Sequence, residues 1–204
     1  TLWMVPGVKS AKALSKMLQT HPVFGNFEIV NVAGDGDDDV ERGDALELVQ
    51  NAIAKNDYTI TISCGKLTTG VSVPEWTAVF MLSGTFNTAA SSYMQTIFRV
   101  QTPAKKDGAI KENCYVFDFA PDRTLKVVAE TAKVQAKAGR TTQNDRKTLG
   151  DFLNFCPVIS CDGTQMKDKI TADQLFTQLK KVYVERVVSS GFEDKSLYNE
   201  DLLK

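Results

Sequence analysis

Tyr58-Thr59-Ile60-Thr61-Ile62-Ser63-Cys64-Gly65-Lys66-Leu67-Thr68-Thr69-Gly70-Val71-Ser72-Val73-Pro74-Glu75-Trp76-Thr77-Ala78-Val79-Phe80-Met81-Leu82 is two strand-like runs around a loop rich in Gly, Thr and Ser. The second run, Ala78 to Leu82, is continuously apolar, as a strand covered on both faces must be. Outward from this stretch the pattern repeats. Leu2-Trp3-Met4-Val5 reads as a buried strand broken by Pro6-Gly7, after which Ala11, Leu14 and Leu18 recur at helical spacing to about Gln19. Phe27 to Val32 is the next strand, then a helix opened by Asp44 with Glu47 three residues on, its apolar face Ala45, Leu48, Ala52 and Ile53. Cys114 to Phe119 is a further strand, and helical patterns span Ala89 to Val100 and Leu125 to Ala138. Strands alternating with helices predict an α/β fold, an open parallel sheet flanked by helices, over residues 1–138. Such sheets bind ligands beyond the carboxyl ends of their strands, which directs attention to the loops after Val5, Ser63, Leu82 and Phe119.

Residues 139–145 are small and polar and read as a linker. Beyond them, 146–204 read as a small, mainly helical appendage. Thr171 with Gln174 resembles a capping box, and Leu175, Phe176, Leu179, Val182, Tyr183 and Val187 supply apolar faces. Pro157 restricts the run Phe155 to Ser160 to an edge strand or an extended connection.

Composition narrows the function classes. The chain has 204 residues, room for one full domain and a small second one, and its 43% hydrophobic content excludes a disordered or collagen-like chain. With 24 basic and 25 acidic residues the net charge is −1, so nucleic-acid contact, if any, is local rather than a matter of bulk charge. From Arg99 to Lys147 there are 11 basic and 6 acidic residues, a difference of +5. Cys64, Cys114, Cys156 and Cys161 form neither a disulfide framework nor a zinc cluster with the single His21, and are expected to be core thiols in a reducing, cytoplasmic setting. No metal site is expected. The acidic loop Asp35 to Glu41 alternates carboxylates as a calcium loop does, but Val40 and Leu46 stand where glycine and glutamate are needed, and a solvated loop is the better reading. Apolar runs such as Ala78 to Leu82 are far shorter than the roughly 18 to 20 residues that span a bilayer, so no membrane association is expected. The start on a buried strand without an initiator Met suggests an excised piece of a longer protein.

The loop and the helix that follows the second run carry the candidate chemistry. Thr68, Thr69 and Ser72 offer hydroxyls to phosphate oxygens, and Gly70 lets backbone approach a ligand closely; a plain crossover loop is the alternative. Gly65-Lys66 lacks the upstream glycine of a Walker A loop. Projected at about 100° per residue from Ser91, Ala90, Tyr93, Met94, Ile97 and Val100 form one buried arc, while Gln95 and Arg99 fall together on the opposite face. An amide and a guanidinium one turn apart could cradle a phosphate, and they could equally be a solvated surface.

The order of these features resembles the second RecA-like domain of superfamily 2 helicases and translocases, over about residues 1–120. Leu2-Trp3-Met4-Val5-Pro6-Gly7-Val8-Lys9-Ser10 is similar to the strand and helix start of motif IV. Thr69-Gly70-Val71-Ser72-Val73-Pro74 is similar to motif V, T-G-x-D-x-P, with Ser72 in place of the aspartate. Gln95-Thr96-Ile97-Phe98-Arg99-Val100-Gln101-Thr102 is similar to motif VI, Q-x-x-G-R-x-x-R, with Phe98 in place of the glycine and Thr102 in place of the second arginine. Among such domains the stretches Ser92 to Arg99 and Tyr115 to Phe119 look most like those of restriction-modification and phage-type DNA enzymes.

The resemblance implies a RecA-like fold and an ATP-dependent DNA helicase or translocase, a hydrolase whose ATP and Mg²⁺ are bound mainly by an absent first RecA-like domain. It implies that Lys9, Ser10, Thr68 and Thr69 meet a nucleic-acid backbone without reading sequence. It also implies that Gly70, Ser72, Gln95 and Arg99 face ATP, with Gln95 and Arg99 catalytic and Arg99 the finger. The isolated chain, lacking Walker A and B, is then expected to turn over no ATP. The alternative is a noncatalytic interaction module that keeps the fold as scaffold.

Overall fold

The computed structural model describes residues 1–33, 42–83, 90–106, 108–120, 123–124, 127, 143–155, 157–162, 165–178 and 181. The chain divides into two compact units, Thr1–Pro121 and Asp122–Lys204.

In the first unit the strands are β1 (Leu2–Met4), β2 (Glu28–Asn31), β3 (Thr59–Ser63), β4 (Ala78–Met81), β5 (Lys105–Lys106), β6 (Ala109–Ile110) and β7 (Tyr115–Asp118), and the helices are α1 (Val8–Gln19), α2 (Arg42–Lys55) and α3 (Ala90–Ile97). β2, β3, β1, β4 and β7 form one sheet in that order, and every pairing in it is parallel. This is the open α/β sheet expected from the alternating pattern, in an arrangement consistent with a RecA-like fold. The five runs read as strands all lie in it; the three in the middle, β3, β1 and β4, are mostly buried, as their unbroken apolar or β-branched sequence requires, whereas β7 at the edge leaves Tyr115, Val116 and Phe117 exposed.

β1 lies at the centre, with Met4 opposite both Ser63 of β3 and Met81 of β4. Its hydrophobic cluster joins Trp3, Val5, Ile60 and Ile62 of the sheet to Ala11 and Leu18 of α1. Trp3 packs against Phe80 at 4.9 Å between ring centroids and edge-on against Phe24 at 5.5 Å. In α2 the buried residues are Ala45, Val49 and Ala52, whereas Leu48 is 48% exposed. The buried stripe thus keeps Ala45 and Ala52 of the face read in the sequence and takes Val49 in place of Leu48, at i, i+4 and i+7.

The short hairpin β5–β6 is an addition that the apolar pattern did not announce, since each strand is two residues long and β6 is exposed. Its sequence signal is the dipeptide Asp107-Gly108, a frequent hairpin turn, and Gly108 has φ of 85°.

In the second unit the helix Gln143–Phe155 starts inside the segment read as a linker. It is followed by an antiparallel hairpin of Ile159–Asp162 with Gln165–Lys169, so the run after Pro157 leads into a strand that, among the described residues, pairs only with its hairpin partner. The capping box at the next helix is formed: Thr171 N donates to Gln174 Oε1 (2.9 Å) and Gln174 N donates to Thr171 Oγ1 (3.3 Å). Leu149, Leu153, Leu175 and Phe176 make this unit's own core. The expected apolar positions Leu179, Val182, Tyr183 and Val187, the acidic loop Asp35 to Glu41 and most of Leu125 to Ala138 lie outside the described residues. No helix among the described residues is long and apolar enough to cross a membrane.

Candidate functional site

Because the sheet is parallel, Val5, Cys64, Leu82 and Phe119 all leave it at one edge, and the candidate residues follow the first three of those exits. β1 and β3 are neighbours in register, Met4 opposite Ser63, so the chain toward Lys9 and Ser10 and the chain toward Thr68 and Thr69 emerge side by side.

The loop after β3 is built from the inside. Ser63, fully buried, donates its hydroxyl to Lys66 O (2.6 Å) and accepts from Gly65 N (3.1 Å), which closes a tight turn at the strand end. Leu67 is 1% exposed and has φ of 64°, a left-handed backbone that leucine tolerates only where packing holds it. Gly70 has φ of 66° and is exposed, the conformation for which glycine is suited. Val73 and Trp76 are buried at the far end of the loop, and Trp76 Nε1 has no hydrogen-bond partner among the described residues. Thr68 Oγ1 donates to Gly65 O (2.7 Å), so its proton is already committed, and its lone pairs remain to accept. Thr69 and Ser72 are exposed.

In α3, Tyr93, Met94 and Ile97 are buried and Gln95 is exposed, as the projection predicts, and Val100 just beyond α3 is buried too. Thr96 is buried as well, its hydroxyl donating to Ser92 O (2.8 Å). Arg99 differs from the projection. α3 tightens after Ile97 into a 3₁₀ turn over Phe98–Gln101, where each residue turns about 120° instead of 100°. Arg99 is consequently half-buried, with Nε donating to Gln95 O (3.1 Å) and Nη1 donating to Val71 O, 28 residues away in the loop. The guanidinium thus joins the two stretches that resemble motifs V and VI. Thr102, where a second arginine would stand, donates its hydroxyl to Arg99 O at 3.5 Å, the outer limit of a hydrogen bond.

One residue escaped the sequence reading altogether. Lys111 Nζ donates to Pro74 O (2.7 Å), Val100 O (2.9 Å) and Trp76 O (3.1 Å). Burial pushes its pKa down, against the nearby Cys114 and Glu75, which favour the charged form. A lysine in a polar stretch gives no sign in sequence of the carbonyls it will meet.

On the other side of the exit, α1 begins at Val8 with no side-chain cap and no acidic residue in its first turn. Lys9 and Ser10 are exposed there. A basic residue at the positive end of a helix is locally unfavourable and becomes favourable when an anion sits between them. Among the described residues no group of three His, Cys, Asp or Glu side chains could hold a metal ion, and Cys64 and Cys114 are free and half-buried rather than fully in the core.

No protein-family profile matches the chain. It is 37% identical over 181 residues to a Mycoplasma pneumoniae protein provisionally described as the C-terminus of a type II restriction enzyme and methyltransferase. The chain is similar to part of a restriction-modification protein. The match covers 82% of this chain and 23% of that relative, so the chain spans about a quarter of the length of the curated relative it matches.

Proposed function

We propose that this chain is the second RecA-like domain of an ATP-dependent DNA helicase or translocase in a restriction-modification enzyme, acting on DNA together with a first RecA-like domain. The observation that carries the reading is the bond from Arg99 to Val71 O, which ties the loop that holds Gly70 and Ser72 to the helix and turn that hold Gln95 and Arg99. The similarity to a restriction and methylation protein supports DNA as the substrate.

The donors fit part of a nucleotide site. Among the described residues Arg99 has two of its five N–H groups bonded to carbonyls, Gly70 offers an exposed left-handed backbone, and Ser72 an exposed hydroxyl. Bound ATP with Mg²⁺ would supply the phosphoryl group, and the chain's residues would supply charge at its oxygens. Phosphoryl transfer needs positioned charge above all, and an arginine delivered from a second domain ties turnover to domain closure. On the other side, Lys9, Ser10, Thr68 and Thr69 meet backbone phosphates, which fix position and carry no base information. The test is ATP turnover by the full-length protein with Arg99→Ala, expected to fall by orders of magnitude while DNA binding survives.

The scaffold reading draws on the same bond, since a guanidinium tied to Val71 O could be purely structural. It predicts that Arg99→Ala changes folding and ATP turnover in proportion, whereas the motor reading predicts lost turnover in a folded protein.

A further inference from the structure

Lys111 makes three side-chain hydrogen bonds beside the candidate site, and the proposed function does not use it. Its backbone N–H donates to Ala104 O (2.9 Å), which fixes it at the base of the β5–β6 hairpin. An ammonium has three protons, and the three carbonyls of Pro74, Trp76 and Val100 take them all, at 2.7 to 3.1 Å. Those carbonyls belong to two separate elements: the tail of the loop after β3 and the 3₁₀ turn after α3.

Val100 is the residue next to Arg99, and Pro74 is three residues beyond Val71. The two cations therefore close a ring: Arg99 to Val71 O, along the loop to Pro74 and Trp76, through Lys111 to Val100 O, and back to Arg99. With one cation the loop could pivot against the turn; with both it is held at two points. Trp76 and Val100 are each 0% exposed, so two of the three carbonyls are shielded from water.

We propose that Lys111 is a positioning residue that locks the loop 71–76 to the turn 98–101 and so sets the place and orientation of the Arg99 guanidinium. The inference rests on the motor reading for its effect on turnover, and on geometry alone for the lock itself. A lysine suits the task because its ammonium can converge on three acceptors from different directions, whereas a planar guanidinium cannot occupy the same point.

The test uses the full-length protein with Lys111→Met, which keeps the stem and removes the ammonium, and Lys111→Arg, which keeps the charge. Three measurements are made: DNA-stimulated ATP turnover, KM for ATP, and hydrogen exchange at the Trp76 amide, which is bonded to Val73 O at 3.2 Å. Lys111→Met should lower kcat by about 10- to 100-fold, the scale of a misplaced catalytic group, with KM little changed. Lys111→Arg should rescue poorly. Because Lys111 acts through Arg99, Lys111→Met should add little further loss in an Arg99→Ala background, whereas a merely structural role would multiply the two losses. Exchange at Trp76 should quicken.

Normal turnover in Lys111→Met beside a crippled Arg99→Ala would overturn the positioning role and leave the motor reading standing. Normal turnover in Arg99→Ala would sink the motor reading and with it the effect of Lys111 on catalysis. Unchanged exchange at Trp76 would refute the lock on its own.

Discussion

Two chain segments leave the sheet side by side and are finished in opposite ways. The loop after β3 is fixed by Ser63 within its first turn, by buried Leu67, Val73 and Trp76, and by Arg99 and Lys111 reaching in from elsewhere. The start of α1 after β1 has no capping side chain, and Lys9 and Ser10 stand exposed in it. A group that must meet a developing charge has to be pre-placed, because reorganisation during the reaction adds to the barrier. A group that follows a moving phosphate backbone gains from being mobile and charged, since its contribution is counterion release rather than geometry. Under the proposed function the contrast would set a catalytic margin beside a tracking margin, and each can be tested separately.

The largest effect is expected at the fixed margin. In the full-length protein Arg99→Ala should reduce stimulated ATP turnover by about 10³- to 10⁵-fold, the range for a finger arginine, and Arg99→Lys should recover little because an ammonium lacks the planar fork. Loss of the bond to Val71 O should cost about 1 kcal/mol of stability, the scale of one hydrogen bond, so the folded protein should persist. Turnover within tenfold of normal would erase the distinction between the two margins.

Trp76 tests whether the loop is fixed by packing. It is fully buried and its indole N–H has no partner among the described residues, so its contribution is apolar contact. Trp76→Ala should cost about 3–5 kcal/mol in equilibrium urea unfolding, and Trp76→Phe, which refills most of the volume and removes the orphaned donor, should cost far less. Equal losses for both would mean that the indole nitrogen is bonded after all and that the loop is held by polarity.

The two margins were not equally legible in the sequence. The sheet was, since buried parallel strands such as Ala78–Met81 are continuous apolar runs whose meaning does not depend on distant residues. Gln95 was placed correctly because α3 is regular around it. Arg99 was misplaced as fully exposed because the helix tightens to 3₁₀ after Ile97, a change that depends on what the turn packs against. Lys111 was invisible for a related reason: its three partners are backbone carbonyls 11 to 37 residues away, and carbonyls leave no mark in a sequence. What the motifs displayed was the set of residue types at the site, and what they concealed was the bracing that holds it.

A smaller effect is expected from the hydroxyls on the loop. Thr68→Val with Thr69→Val keeps the β-branched shape and removes both, and binding of unrelated DNA sequences at low salt should weaken severalfold. Thr68 has a structural share, since its hydroxyl donates to Gly65 O (2.7 Å), so the single Thr68→Val change should also lower stability by about 1 kcal/mol. If binding of the double variant equals that of the parent protein, the loop contributes to the nucleotide side only.

The smallest effect, and the one that tests the open margin directly, is at Lys9. Its exposure and its place at the positive end of α1 mean that it gives the folded protein no stabilising charge pairing with the helix; the dipole there disfavours it slightly. Lys9→Gln should therefore leave stability unchanged or raise it by a few tenths of a kcal/mol, roughly the low end of the helix-dipole range. If Lys9 meets a backbone phosphate in the full-length protein, the same change should weaken binding by about the same factor on every DNA sequence and make the slope of log K against log salt shallower by about one. Stability and affinity would then move in opposite directions, which a solvated surface lysine does not produce. An unchanged salt slope would remove Lys9 from the DNA path and leave the start of α1 with no function in binding.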